Sequence, residues 1–163
     1  MTRLPLPDDT TGAELAAEYD AARGRGGSVM AILRALGPRP ELLRAFLALT
    51  EAALYGPAAL GRRERELLAL ATSQANGAGY SAEVHAALLE QLGGAEESAR
   101  DRALADFARR LTLAPLEAPE AVAALRAHLP VAEVYDAIAV VGLLNFANRA
   151  ALATGIGTAD DLR

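Results

Sequence analysis

Residues 62–85, RRERELLALATSQANGAGYSAEVH, are the stretch that decides the fold. An apolar run with helical spacing follows an arginine- and glutamate-rich start, and Asn76-Gly77 then interrupts it. Glycine beside a helix end favours the left-handed backbone that stops a helix. A second helical run begins just after this break and carries His85 on its first turns. The stretch therefore predicts two helices that meet at a polar corner.

Outward from this corner, helical spacing of apolar residues recurs along the chain. Ala, Leu, Arg and Glu dominate, and only three Phe, four Tyr and no Trp occur, which favours helices over sheets. We expect an all-α fold of about seven or eight helices. The predicted helices are 10–22, 28–36, 40–55, 62–75, 81–92, 96–113, 119–128 and 131–155.

The chain length predicts a single domain over residues 1–163. With 52% hydrophobic residues, 163 residues suffice for one well-filled core and are too few for two ordinary domains. Within it, residues 62–92 hold the two helices of the corner. Residues 1–9, which include two prolines and two aspartates, are predicted to form an extended arm.

The last predicted helix is apolar nearly all the way round between Ala137 and Phe146. A surface helix would carry polar residues on one side. We therefore expect a homo-oligomer in which a second subunit covers part of this helix.

Charge and composition exclude several kinds of partner. All sixteen basic residues are Arg, and they are scattered among 21 acidic residues, for a net charge of -5. Since no basic stripe is present, we expect no nucleic acid partner. The sequence starts without a signal-like apolar segment, and no uninterrupted apolar run approaches the roughly 20 residues of a membrane span. A cytoplasmic protein with no membrane partner is the expectation.

The corner brings several reactive side chains within reach of one another. Ser81 and His85 are four residues apart and share a face at a helix start. Tyr80 and Ala78 lie at the same end, where free backbone N–H groups favour a developing negative charge. Helical spacing places Glu66 on one side of its helix. If the two helices pack as a hairpin, that side would bring Glu66 next to His85. Such a pair can pass a proton.

Each of these residues also has an ordinary structural interpretation. Glu66 is either a proton relay or a helix residue in a weak ion pair with Arg62. His85 is either a base or a half-buried histidine bonded to a backbone carbonyl. Ser81 is either an N-cap or a nucleophile, and a nucleophile there would have only Glu66 to orient His85. Tyr80 either lines a pocket or packs.

No metal and no cofactor are expected. The absence of cysteine excludes a disulfide framework and any thiolate site. His85 and His128 lie far apart in the sequence, which leaves carboxylates as the other ligands. His128 stands at a predicted helix end, where it is a partner for the helix dipole. The glycines of residues 76–79, NGAG, match no phosphate-binding pattern.

Residues 63–89, RERELLALATSQANGAGYSAEVHAALL, resemble the core motif of the alkylhydroperoxidase-D-like proteins. These belong to the carboxymuconolactone decarboxylase superfamily, and the resemblance is strongest to their peroxidase-related branch. The motif has an acidic residue in a helix, a break N-x-C-x-Y-C, and a histidine four residues after the second cysteine. Glu66 stands at the acidic position, Asn76 and Tyr80 keep their places, and His85 is the histidine.

Ala78 and Ser81 occupy the two cysteine positions of that motif. In the family, the cysteine pair reduces hydroperoxides: one thiolate attacks the peroxide, the other resolves it as a disulfide, and Glu and His relay the proton. A serine hydroxyl is not appreciably ionised at neutral pH and does not follow thiol oxidation chemistry. The resemblance implies the fold and the place of the site, but the thiol mechanism is excluded.

We therefore expect an alkylhydroperoxidase-D-like helical bundle whose degenerate site performs acid/base chemistry on a small organic molecule. The residues assigned to catalysis are Glu66, His85, Ser81 and Tyr80. Substrate binding is assigned to Asn76 and Ala78. One alternative is a non-catalytic binding or scaffold relative, and another is an antioxidant hydroperoxide reductase, as the family label implies.

Overall fold

Helices make up the fold in the computed structural model, which describes residues 15–26, 31–96 and 98–156. Within these ranges there are eight α-helices and no strand. The helices are α1 Ala16–Gly26, α2 Ala31–Leu36, α3 Pro40–Thr50, α4 Arg62–Ala75, α5 Gly79–Gln91, α6 Ala99–Leu113, α7 Ala118–Arg126 and α8 Val131–Thr154. The prediction of an all-α fold is confirmed.

Most helix bounds agree with the sequence pattern. α4 begins and ends at the predicted residues. α6 begins at Ala99 rather than at residue 96, because the Ser98 hydroxyl accepts a hydrogen bond from the backbone N–H of Asp101 at 3.0 Å. α1 continues to Gly26, past its predicted end at residue 22. The predicted arm over residues 1–9 and the caps predicted before α1 and α2 lie outside the described residues.

The predicted helix 40–55 changes character in its last turn. α3 ends at Thr50, and Glu51–Tyr55 form one turn of π-helix, closed by a 2.6 Å hydrogen bond from the Gly56 N–H to the Glu51 carbonyl. The buried guanidinium of Arg65 donates to the Gly56 carbonyl at 3.0 Å, which ties this turn to α4. A π-turn inside a helix often marks a functional site.

α4 is the centre of the bundle, and it contacts α5, α6 and α8. The fully buried residues Leu68, Leu104 and Val140 belong to one hydrophobic core to which α4, α6 and α8 all contribute. This arrangement places one face of α4 beside the start of α5 and the C-terminal half of α8. The site described below lies among these helices.

α8 has two different apolar faces. Its inner face packs against α4, α6 and α7, and Gly155 ends it in the left-handed conformation at φ 73°. Its outer face exposes a row of apolar side chains, which are Val131, Tyr135, Ile138, Phe146 and Leu152. By length and composition alone α8 would be able to cross a membrane, and 33% of its most apolar window is buried in the fold.

Candidate functional site

Glu66 of α4 and His85 of α5 are in direct contact. Nδ1 of His85 lies 2.7 Å from Oε2 of Glu66. Glu66 is 0% exposed and His85 is 8% exposed, so the pair is almost completely withdrawn from solvent. The helical hairpin of α4 and α5 therefore forms the corner, with the acid behind the histidine.

Arg62 binds the second oxygen of the Glu66 carboxyl group. Its Nε donates to Oε1 at 2.9 Å, and its Nη2 donates to the same oxygen. The Arg62 guanidinium also lies 4.4 Å from the centre of the Tyr55 ring, in a cation–π contact. Glu66 thus has both the ion pair and the histidine partner that the sequence offered as alternatives.

These contacts set the charge of Glu66. Burial alone raises the pKa of its carboxyl group, but the hydrogen bond and charge of His85, followed by those of Arg62, outweigh burial. The net pKa lies below the ordinary value of 4.5, so Glu66 is a carboxylate at neutral pH. A carboxylate only accepts hydrogen bonds, and Nδ1 of His85 must therefore be the donor.

His85 also lines a cavity, and its second ring nitrogen, Nε2, is not the atom that contacts Glu66. Whenever the ring holds a single proton, that proton is on Nδ1 and Nε2 carries a lone pair. Nε2 makes no hydrogen bond to the described part of the chain. Among the described residues, the only side-chain polar atom that is fully buried and has no hydrogen-bond partner is Nε of Arg65. Because Nε2 of His85 has no partner either, it is not fully buried and is accessible beside the cavity. His85 is thus arranged as a base.

Acid should destabilise the protein through Glu66. Because the folded-state pKa of Glu66 is depressed, its contribution to stability is present above about pH 4.5 and is lost as pH falls through the folded pKa. We expect Glu66→Gln to lower the free energy of unfolding at pH 7 by about 1.5–3 kcal/mol. We also expect it to weaken the fall in stability as the pH drops below about 4.5.

Urea unfolding at a series of pH values measures this effect, with the exposed α5 residue Glu83 replaced by Gln as the matched control. Acid sensitivity that is the same in Glu66→Gln and the wild type would contradict the assignment of Glu66 as the buried carboxylate that responds to pH.

A cavity of about 160 Å³ opens beside His85. Most of its wall is apolar and comes from α3 with its π-turn, α5 and α8. Its polar lining residues are Thr50, Tyr55, Tyr80, Ser81, His85 and Asn148. An apolar protein cavity of about 150 Å³ holds benzene. The cavity therefore fits a molecule built on one ring.

The structure separates the residues that the sequence grouped together. His85, Ser81 and Tyr80 line the cavity, whereas Glu66 stands behind His85. Asn76 and Ala78, assigned to substrate binding, are not among the lining residues of this cavity.

Asn76 and Ala78 instead serve the turn between α4 and α5. The side-chain amide of Asn76 donates to the Thr72 carbonyl and to Oδ1 of Asn145, both at 3.0 Å. The backbone N–H of Ala78 donates to the Ser73 carbonyl at 3.0 Å, so Ala78 is the N-cap of α5. These bonds close the corner, and neither residue lines the cavity beside His85.

The N-cap interpretation of Ser81 is wrong, because α5 begins at Gly79 and Ser81 lies within its first turn. The hydroxyl of Ser81 is 2.9 Å from Oγ of Ser73. Nδ1 of His85 is bonded to Glu66, and the contacts of Ser81 in the described structure include no hydrogen bond to the other nitrogen of the ring. This arrangement does not activate Ser81 as a nucleophile.

Sequence reasoning missed Ser73, Thr50 and Asn148 as parts of the site. Asn148 is 1% exposed, lines the cavity, and donates from Nδ2 to Oγ of Ser73 at 3.2 Å. The available signal was a polar amide in the middle of an apolar helix, because such a residue is buried only with a partner. Among the described residues, no group of three His, Cys, Asp or Glu side chains is arranged to hold a metal ion.

A comparison with protein families matches the part of the chain that contains the corner. Residues 40–112 match the family described as "Carboxymuconolactone decarboxylase family". This range includes α3, its π-turn, and the helices that carry Glu66 and His85. No curated protein matches the sequence.

Solved structures share the fold over nearly the whole chain. An uncharacterized peroxidase-related protein from Silicibacter sp. TM1040 is 29% identical, with a TM-score of 0.85 over 98% of this chain and 93% of that one. A second, from Ralstonia eutropha JMP134, described as an alkylhydroperoxidase AhpD core, is 26% identical, with a TM-score of 0.83 over 98% and 94%. These overlaps confirm the predicted alkylhydroperoxidase-D-like fold.

The debrominase Bmp8 C82A, solved in complex with 2,3,4-tribromopyrrole, is 16% identical to this chain. Its TM-score is 0.81, over 99% of this chain and 96% of that one. At this identity the likeness concerns the fold alone.

Proposed function

We propose that this chain, which carries a domain of the carboxymuconolactone decarboxylase family, catalyses proton transfer on a small organic molecule bound beside His85. One observation carries the proposal: the buried Glu66–His85 pair leaves a basic ring nitrogen open to a largely apolar cavity. Such a pair, held by helices rather than loops, is a fixed base that needs no thiol.

In the proposed step, Nε2 of neutral His85 takes a proton from the substrate, and the ring becomes an imidazolium. Glu66 stabilises this cation through the Nδ1–H hydrogen bond, and Arg62 keeps Glu66 ionised. The imidazolium then returns the proton to another atom of the substrate or to water. A positioned general base of this kind accelerates a reaction by roughly 100 to 10,000-fold.

Hydroperoxide reduction is the activity suggested by the names of the two more similar solved proteins. The thiol form of that reaction needs a thiolate that attacks the peroxide oxygen. This sequence contains no cysteine. The family supports the fold and the acid–histidine pair, and the proton transfer is the part of the family chemistry that these residues are able to perform.

The opening of 1,2-benzisoxazole tests the proposal, because that reaction needs only a base. The base removes the proton from C3, the N–O bond breaks, and 2-cyanophenolate forms with a new ultraviolet absorbance. At saturating benzisoxazole, we expect the protein to open it about 100 to 10,000-fold faster than imidazole at the same concentration.

Two results would count against the proposal. Benzisoxazole that binds, as seen by NMR line broadening, but opens no faster than in imidazole would favour the non-catalytic binding alternative. A failure of both benzisoxazole and benzyl alcohol to bind would contradict the assignment of small ring compounds to this cavity.

We also propose that a second copy of the chain covers the outer face of α8. This face presents Tyr135 and Ile138 at 69% and 39% exposure, and Gly142 follows them on the same face with open space where a side chain would stand. A small residue within an apolar row lets two helices approach closely.

The cytoplasmic location and the lack of nucleic acid or membrane partners remain predictions from composition.

Replacing Ile138 with arginine should separate the copies, because a charge buried between two apolar faces is costly. Sedimentation velocity at about 50 µM should show the wild type as a dimer or larger assembly and Ile138→Arg as a monomer. The control is Ala86→Arg on the exposed side of α5. A monomeric wild type, or an Ile138→Arg protein that sediments like the wild type, would refute the proposed contact.

A further inference from the structure

The hydroxyl protons beside the cavity are fixed by short contacts, beginning with Ser73. Its Oγ lies 2.8 Å from the backbone carbonyl oxygen of Ala69. A carbonyl oxygen has no proton to give, so the one hydroxyl proton of Ser73 points at it. Toward every other neighbour, Ser73 is therefore only an acceptor.

This assignment fixes the protons of two cavity residues. Ser81 lies 2.9 Å from Ser73 Oγ and must donate to it, so Ser81 turns only lone pairs toward the cavity. Asn148 lies 3.2 Å from the same oxygen and must face it with its amide nitrogen. Oδ1 of Asn148 has no hydrogen-bond partner among the described residues. The only fully buried atom without a partner there is Nε of Arg65, so Oδ1 of Asn148 is accessible.

Two further groups in the cavity wall are also hydrogen-bond acceptors. Thr50 Oγ1 is 2.7 Å from the Phe46 carbonyl, which takes its proton, and Nε2 of neutral His85 carries a lone pair. Tyr55 and Tyr80, which also line the cavity, each have interaction partners of their own. The second N–H of the Asn148 amide and the hydroxyls of these two tyrosines are the lining donors whose directions these contacts do not fix.

A cavity lined by these acceptors selects ligands that carry a hydrogen-bond donor. An O–H or N–H group satisfies these acceptors, whereas a carbonyl, nitro or carboxylate group places lone pairs against lone pairs. We propose that the cavity prefers one-ring compounds that carry an alcohol, phenol, amine or ring N–H over analogues of the same size that carry only acceptors. This names the substrate class of the proposed function and rests on it for the identity of the site.

Two matched pairs of compounds test the selection, benzyl alcohol against benzaldehyde and cyclohexanol against cyclohexanone. The members of each pair have nearly the same size, and they differ in whether the oxygen carries a proton. Dissociation constants come from chemical-shift titration of the ¹⁵N-labelled full chain. We expect the alcohol of each pair to bind about fivefold or more tightly, since leaving a buried polar group unpaired weakens binding by about that factor or more.

The variant Ser81→Ala should reduce this preference several-fold by removing one acceptor. The matched control is Thr72→Val on α4, where Thr72 Oγ1 donates to the Leu68 carbonyl at 2.7 Å and does not line the cavity. This control should keep the full preference. Equal affinities within each pair, or a preference that Ser81→Ala leaves unchanged, would overturn the inference.

The outcome is separable from that of the proposed function. Benzisoxazole carries no O–H or N–H, so it should bind weakly, but its first-order rate once bound reports on the base alone. Equal binding of alcohols and ketones together with rapid opening would overturn this inference and leave the base in place. A preference for alcohols with no opening would support the inference and contradict the proposed catalysis.

Discussion

Replacing His85 with alanine should slow the opening of bound benzisoxazole by about 100 to 10,000-fold. His85 is the one group in the described cavity wall that combines an accessible lone pair with a buried carboxylate behind it. Removing the ring removes the base, while the apolar wall that binds the compound stays. The expected signature is therefore a loss in the first-order rate with little change in the dissociation constant.

The matched control is His128→Ala, since His128 is the only other histidine and lies exposed after α7, away from this cavity. It should keep the wild-type rate. A folded His85→Ala protein, checked by circular dichroism, that opens benzisoxazole as fast as the wild type would refute the assignment of the base.

Glu66→Gln tests how the base is oriented. A carboxylate only accepts, so it holds the proton on Nδ1 of His85 and the lone pair on Nε2. An amide N–H facing Nδ1 would reverse the tautomer and put the proton on Nε2, which is how such substitutions inactivate other histidine–carboxylate pairs. A rate in Glu66→Gln equal to that of the wild type would show that Glu66 supports the fold and does not position His85.

The sequence predicted the features that local rules determine. The bounds of α4 follow from its apolar spacing and from the stop at Asn76-Gly77, and the meeting of Glu66 with His85 follows from two helices joined by a short turn. The start of α5 was missed by two residues, because Gly77 at φ 67° allows Ala78 to bond back to α4 and begin the next helix early.

Local sequence patterns could not predict the contacts between segments that are distant in the sequence. Asn148 reaches Ser73 across 75 residues of sequence, and Asn76 reaches Asn145 across 69. Both contacts depend on how α8 packs against α4, which no spacing within either helix determines. Arg100 of α6 pairs with Glu64 of α4 in a third contact of this kind, across 36 residues.

The geometry also explains how two roles coexist at one corner. The bonds of Asn76 and Ala78 hold the turn, and the side chains one turn further on α5 face the cavity. Because structure and chemistry use different residues, the two positions that hold cysteines in the related motif can change without loss of the corner. The acid and the histidine are then free to serve a different reaction.

Restoring both thiols, with Ala78→Cys and Ser81→Cys together, should convert the protein from no detectable hydroperoxide turnover to multiple turnovers with dithiothreitol. Position 81 lies in the cavity wall, where a thiolate would meet the peroxide and pass to a sulfenic acid as the alcohol leaves. Position 78 is the N-cap of α5, three residues before position 81, which is the spacing of the two cysteines in the related motif. The second thiol then displaces water, and dithiothreitol reduces the disulfide.

The single variants are the controls for this experiment. Ser81→Cys alone should react with peroxide and form no internal disulfide, so that only dithiothreitol reduces its sulfenic acid. Ala78→Cys alone should stay inert, as should the wild type once the uncatalysed reaction with dithiothreitol is subtracted. A folded double variant with two free thiols that still fails to turn over would mean that the Glu66–His85 pair does not accept a proton from a group in the cavity. That result would weaken the proposed base catalysis as well, because both reactions depend on the same transfer to His85.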